Sequence, residues 1–155
     1  MKKLIMTLSA IILLMATAVS VSYADETTIP ADQLPDQAIQ FIKNNFPGKK
    51  IIYTGIEGGI FKGDYKVVLS DESEIEFTPK GDWEKIDCNK GCVPAKVVPS
   101  KISKYIAANY KGVCVSEIEY DTKLIGSLGA VYKVKLQNGI ELKFNKEGEF
   151  KKIDD

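Results

Sequence analysis

The chain has 155 residues, 21 basic and 21 acidic side chains, three cysteines and no histidine. That length gives one compact domain or two small lobes, and the balanced charge excludes the basic stripe that nucleic acid requires and electrostatic docking on anionic lipid. Without histidine there is no Ser-His-Asp or Cys-His catalytic arrangement, and the usual zinc ligand is missing.

Residues 1–24 read as a secretory signal peptide. Lys2 and Lys3 precede an apolar run from Leu4 to about Val21, and Ser22-Tyr23-Ala24 forms a small-x-small cleavage pattern before Asp25. The run is too short for a retained anchor, which needs roughly 20 apolar residues. Cleavage therefore leaves no stable membrane insertion, and the mature protein is expected to be periplasmic or secreted. Residues 25–33 form an N-terminal extension.

The first helix is expected from Pro35. Proline suits a helix start, and Asp36 beside it complements the positive helix end. Ala38, Phe41, Ile42 and Phe46 then recur at three and four residues, making one apolar stripe, and Gly48 supplies a stop. Strands follow with period two. Tyr65, Val67 and Leu69 oppose Lys66, Val68 and Ser70, and Ile75 and Phe77 oppose Glu74 and Glu76. The stretches "SDES" and "PKGD" mark hairpin turns. Glu74, Glu76 and Glu141 alternate with apolar residues beside lysines, the pattern of a solvated sheet face rather than of a catalytic carboxylate pair.

The phrase "EIEFTPKGDWEKID" at residues 74–87 returns as "ELKFNKEGEFKKID" at residues 141–154. The echo extends backwards: "YKVVL" at Tyr65 matches "YKVKL" at Tyr132, and "LPDQAIQFIKNNFPG" at Leu34 matches "VPSKISKYIAANYKG" at Val98. Self-similarity of this kind predicts one supersecondary unit used twice. The expectation is an α+β fold of two tandem repeats, 34–87 and 98–155, each a helix followed by a four-stranded antiparallel meander, with helices on one face of the sheet.

Between the units, residues 88–97 form a junction holding Cys88 and Cys92. Export to an oxidising compartment and close spacing predict a Cys88–Cys92 disulfide. Cys114 is placed opposite Ile52 when "SEIE" is aligned on "TGIE", on the face of Ile56 and Ile118, and reads as a buried thiol. In the closing strands Trp83 and Ile86 are three apart, as are Phe150 and Ile153. Period two cannot place both members on one face without a bulge. Trp83 and Phe150 are thus either rings folded under the sheet or anchors on a binding surface. The second unit also carries a longer hairpin, where Leu124, Ile125 and Leu128 are unusually apolar and are further candidate partner contacts.

A Pro-led helix ending in "NNFPG" or "NYKG", a "YKV" strand, "NGIELKF" and the closing "GDWEKID" or "GEFKKID" resemble the PepSY-like proteins of bacterial envelopes, described as beta-lactamase-inhibitor-like. The resemblance covers residues 34–154 and implies that architecture and a protein-binding role. It supplies no catalytic or ligand residues. The resulting expectation is an exported non-enzymatic protein that binds an envelope protein or peptide, inhibitor-like in the family's description, through an open sheet face or hairpin loop. The alternative is a small-ligand carrier of the cell envelope. No cofactor, metal or catalytic residue is expected.

Overall fold

A computed structural model of the protein describes residues 26–57, 63–121 and 131–154. The expected signal peptide and the apolar hairpin residues Leu124, Ile125 and Leu128 lie outside the described residues.

The described elements run β1 (Glu26–Thr28), a 3-10 turn (Ala31–Gln33), α1 (Asp36–Asn45), β2 (Ile51–Glu57), β3 (Asp64–Leu69), β4 (Glu74–Phe77), β5 (Trp83–Asp87), α2 (Ser100–Asn109), β6 (Val115–Tyr120), β7 (Tyr132–Leu136), β8 (Glu141–Phe144) and β9 (Phe150–Asp154). All the described strands belong to one antiparallel sheet in the order β1 to β9. Both helices lie on the same face of it.

This corrects the expected α+β architecture of two tandem repeats, each a helix with its own four-stranded meander. The molecule is mostly sheet, and the sheet is one nine-stranded layer. Two observations overturn the division. β5 pairs directly with β6 through Lys85–Glu119, Ile86–Ile118 and Asp87–Glu117, and β1 adds a strand outside β2. A four-stranded unit would leave β5 and β6 as open edges, each with a row of unpaired N–H and C=O groups. Pairing them satisfies those groups and removes two edges.

The core lies between the helices and one sheet face. Ala38 and Ile42 of α1 and Ile102 and Ile106 of α2 are buried against Val67, Leu69, Ile75, Phe77 and Ile86 on one side and Ile118, Val134, Leu136, Leu142 and Phe144 on the other. Fully burying a side chain of this size contributes about 1.5–3 kcal/mol. Phe41 meets Phe77 edge-on at 5.7 Å between centroids, and Tyr105 meets Phe144 edge-on at 5.4 Å. Pro35 and Pro99 stand at the helix starts with φ of −54° and −52°. At the other ends the Asn45 and Asn109 side-chain amides donate to Phe41 and Tyr105 carbonyls at 2.8 Å.

The echoed phrase has a structural meaning at its glycines. Gly81 has φ of +92°, and a Cβ there would stand 3.0 Å from the Ala38 nitrogen at the start of α1. Gly148 has φ of +77° and would place a Cβ 3.1 Å from Lys101 Cβ at the start of α2. Each turn is thus tucked beneath a helix start, where only glycine combines that backbone angle with so close an approach.

Candidate functional site

Following each glycine, the strand carries a bulge. Register shifts between Glu76 and Phe77 and between Lys143 and Phe144 set Trp83 opposite Phe77 with Ile86 opposite Ile75, and Phe150 opposite Phe144 with Ile153 opposite Leu142. Both rings therefore lie on the helix-covered face, half-buried and packed against the core. The structure does not place Trp83 or Phe150 on the open face. Both rings are folded under the sheet, and Trp83 also lines an open cleft on that face.

The uncovered face is built from the other members of each alternation. One transverse row runs Lys66, Glu76, Lys85, Glu119, Lys133, Lys143 and Lys152, each opposite the next. The adjacent row runs Glu74, Asp87, Glu117, Lys135, Glu141 and Asp154. Three lysines therefore stand side by side in one row, beside a largely acidic second row. Like charges directly opposite one another destabilise a sheet. Ion pairs offset part of that cost: Lys66–Glu74 at 3.0 Å, Lys85–Glu117 and Lys133–Glu119 at 3.1 Å, Lys135–Glu141 at 3.3 Å, and Lys143–Asp154 at 2.6 Å. Exposed pairs of this kind are individually weak.

Electrostatics varies along these rows. Burial pushes the Glu76 carboxyl above its ordinary value; Lys85 and Lys66 oppose the rise, while Glu57 and Glu119 add to it. Burial works against the charge of Lys85, but its hydrogen bond to Glu117, with the Glu117, Glu76 and Asp87 charges, raises its pKa overall. The hydrogen bond from Lys143 holds Asp154 below the usual carboxylate value, aided by Lys152.

A second feature lies on the covered face, beside α1. Phe41 and Gln37 of α1, the β4–β5 turn at Thr78, Gly81 and Asp82, and Trp83, Glu84, Tyr120 and Tyr132 line a half-open cleft of about 440 Å³. Tyr120 and Tyr132 face each other across β6 and β7 with centroids 4.8 Å apart. Sequence reasoning passed over Tyr120. Its position two residues beyond the buried Ile118 was the available signal, since alternate strand residues share a face.

The cysteines are corrected. The disulfide joins Cys92 to Cys114, with Cα atoms 5.8 Å apart, while Cys88 is free and buried. Cys88, the residue after β5, is buried in the core, whereas the following loop returns to β6, where the Val93 N–H donates to the Val115 carbonyl at 2.8 Å. That bond docks Cys92 beside Cys114, within the span a disulfide bridges. The expected burial of Cys114 fails for a related reason. Register shifts between Ile51 and Tyr53 and between Val115 and Glu117 break the alternation at these strand starts, leaving Ile52 62% exposed. Burial pushes the Cys88 thiol up, opposed by a hydrogen bond with Ser73.

Residues 63–152 match the family model described as "Putative beta-lactamase-inhibitor-like, PepSY-like". Among curated proteins, none matches. Three solved structures are similar. One, from Bacteroides thetaiotaomicron and described as a "putative calcium-regulated periplasmic protein", is 34% identical, with a TM-score of 0.75, over 84% of this chain and 98% of its own. A second, a "putative periplasmic protein" from Bacteroides vulgatus, is 35% identical with a TM-score of 0.75, covering 86% of this chain and 99% of its own. A third, a "putative periplasmic protein of unknown function" also from Bacteroides vulgatus, is 36% identical with a TM-score of 0.74, covering 84% and 99%. Neither described helix is long and apolar enough to cross a membrane. With its matched segment, its continuous sheet and its two helices on one face, the chain belongs to the PepSY-like family.

Proposed function

We propose that this is an exported, non-enzymatic binding protein of the cell envelope, acting in the periplasm, that contacts a protein or peptide through the uncovered face of its sheet. The observation that carries the reading is the charge arrangement of that face. Lys133, Lys143 and Lys152 stand opposite one another, and so do Glu74, Asp87 and Glu117. Cross-strand order of this kind works against folding, so a partner with complementary stripes gains from a cost the free protein already carries. The periplasmic description of the similar structures supports the compartment. The family's inhibitor-like description supports a role by contact with another protein.

The test is capture of envelope proteins on the tagged mature chain, in parallel with a Lys133→Glu, Lys152→Glu variant of unchanged melting temperature. A partner held by the parent and released by the variant is the expected result. Equal capture by both removes the face from consideration.

A further inference from the structure

A free thiol and a disulfide stand together at the junction between β5 and β6. Cys88 is reduced and buried, Cys92 is exposed and Cys114 is half-buried, the last two joined by the bridge. Cys88 and Cys92 line the same half-open cavity of about 270 Å³, with Phe46, Asp71 and Ser73 beside them. The turn between the two cysteines is tight. Asn89 has φ of +47°, the Gly91 N–H donates to the Cys88 carbonyl at 2.6 Å, and a Cβ at Gly91 would stand 3.7 Å from Cys88 Cβ. The residue before Cys92 is therefore folded back over Cys88. Gln137 ties this turn to the start of β6: its N–H donates to the Cys114 carbonyl at 2.9 Å, its side-chain amide donates to the Lys90 carbonyl at 3.4 Å, and its Oε1 lies 3.6 Å from Cys114 Sγ.

We propose that Cys88 is an internal nucleophile for the Cys92–Cys114 bridge, so that thiol–disulfide exchange within the chain links Cys88 to Cys92 and delivers a reactive thiol at Cys114. Cys88 gives its proton to water and its thiolate attacks Cys92 Sγ. The Cys92–Cys114 bond breaks, its electron pair leaves with the Cys114 sulfur, and that sulfur takes a proton from water. One S–S bond forms and one is lost, so no external oxidant or reductant is consumed. The Gln137 Oε1 is placed to accept from the new Cys114 S–H, while the Val93–Val115 backbone bond still holds the loop against β6. Exchange thus moves the thiol from the core to the rim of the sheet. Burial pushes the Cys88 thiol up, opposed by the hydrogen bond with Ser73; Asp71 and Asp87 add to the rise and Lys49 counters it. Thiolate is the attacking species. At neutral pH the exchange is therefore slow and Cys92–Cys114 is the resting bridge.

The test is trapping with N-ethylmaleimide on native protein purified without reductant, with samples taken over hours, quenched in acid and peptide-mapped. Maleimide on Cys114, with Cys88 linked to Cys92 in the same molecules, is the expected product. Its yield at a fixed time should rise about tenfold per pH unit while the Cys88 thiol is mostly protonated. A Cys88→Ala variant has no free thiol and should take up no maleimide, native or unfolded. The parent map decides without that variant if it fails to fold. Maleimide on Cys88 with the Cys92–Cys114 bridge intact would show simple opening of the core and overturn the proposal. So would unlabelled Cys114 under conditions where the unfolded protein labels fully at Cys88, or labelling of Cys114 in Cys88→Ala at the parent's rate.

Discussion

Tyr105 of α2 lies flat on Phe150 of β9, with ring centroids 4.6 Å apart and 10° between their planes. Phe150 also meets Phe144 edge-on at 5.9 Å. The last strand, which pairs with one neighbour among the described strands, is therefore held to the helix layer by a ring stack as well as by its ladder to β8.

Removing that ring should loosen the edge. Phe150→Ala is expected to cost about 2–4 kcal/mol, toward the low side of full core truncations because the ring is half-buried. Trp83→Ala, which has no helix ring stacked on it in the same way, should cost less. Urea midpoints of the two variants check the order, and a Phe150→Ala protein as stable as the parent would contradict the clamp.

Gly81→Ala should destabilise more than Gly139→Ala. Both positions have positive φ, +92° and +88°, but a Cβ at Gly139 meets nothing within 4 Å while one at Gly81 meets the α1 backbone. The angle alone costs on the order of 1 kcal/mol, and the contact adds to it, for about 1–3 kcal/mol at Gly81. Thermal melts of the two variants separate angle from contact.

Peptide mapping of protein purified without reductant should find Cys92 joined to Cys114 and Cys88 alkylated only after unfolding, since the thiol is buried with its pKa raised. The bridge spans 22 residues. Its removal by Cys92→Ser with Cys114→Ser should cost about 3 kcal/mol in the chain-entropy account. A Cys88–Cys92 link in the map would reverse the assignment.

Glu76 gives a pH signature with a definite sign. Its folded pKa lies above the ordinary 4.5 because of burial, with the nearby charges of Lys85 and Glu57 acting in opposite directions. The folded protein thus binds that proton more tightly than the unfolded chain, and ionised Glu76 disfavours folding at neutral pH. Glu76→Gln should be more stable than the parent at pH 7, with the gap narrowing as pH falls toward 4.5. Denaturation midpoints measured across that window check it; a gap that widens on acidification would be the wrong sign.

Much of this fold was legible in residue order. Pro35 and Pro99 marked the helix starts, the alternation of Tyr65, Val67 and Leu69 marked a half-buried strand, and the three-residue spacing of Trp83 and Ile86 signalled a bulge. The continuous sheet was not legible, because pairing of β5 with β6 depends on how a junction loop returns in space. The disulfide was missed for the same reason: Cys88 and Cys92 are near in sequence, but Cys88, just beyond β5, is buried in the core. Of the candidate site, Trp83 was found and Tyr120 was not. What brings them together is the placement of β5 beside β6, which local pattern does not encode.

The sheet order also bears on how the chain assembles. Every described strand pairs with its neighbour in the described order, so apart from β5–β6 most pairings close short loops, and such closures are entropically cheap and fast. Residues 88–114 separate β5 from β6, and the bridge from Cys92 to Cys114 spans most of that stretch. Oxidation therefore shortens the longest search in an otherwise local folding route. Refolding of the reduced protein should be slower than that of the oxidised protein, with the β5–β6 pairing as the limiting closure.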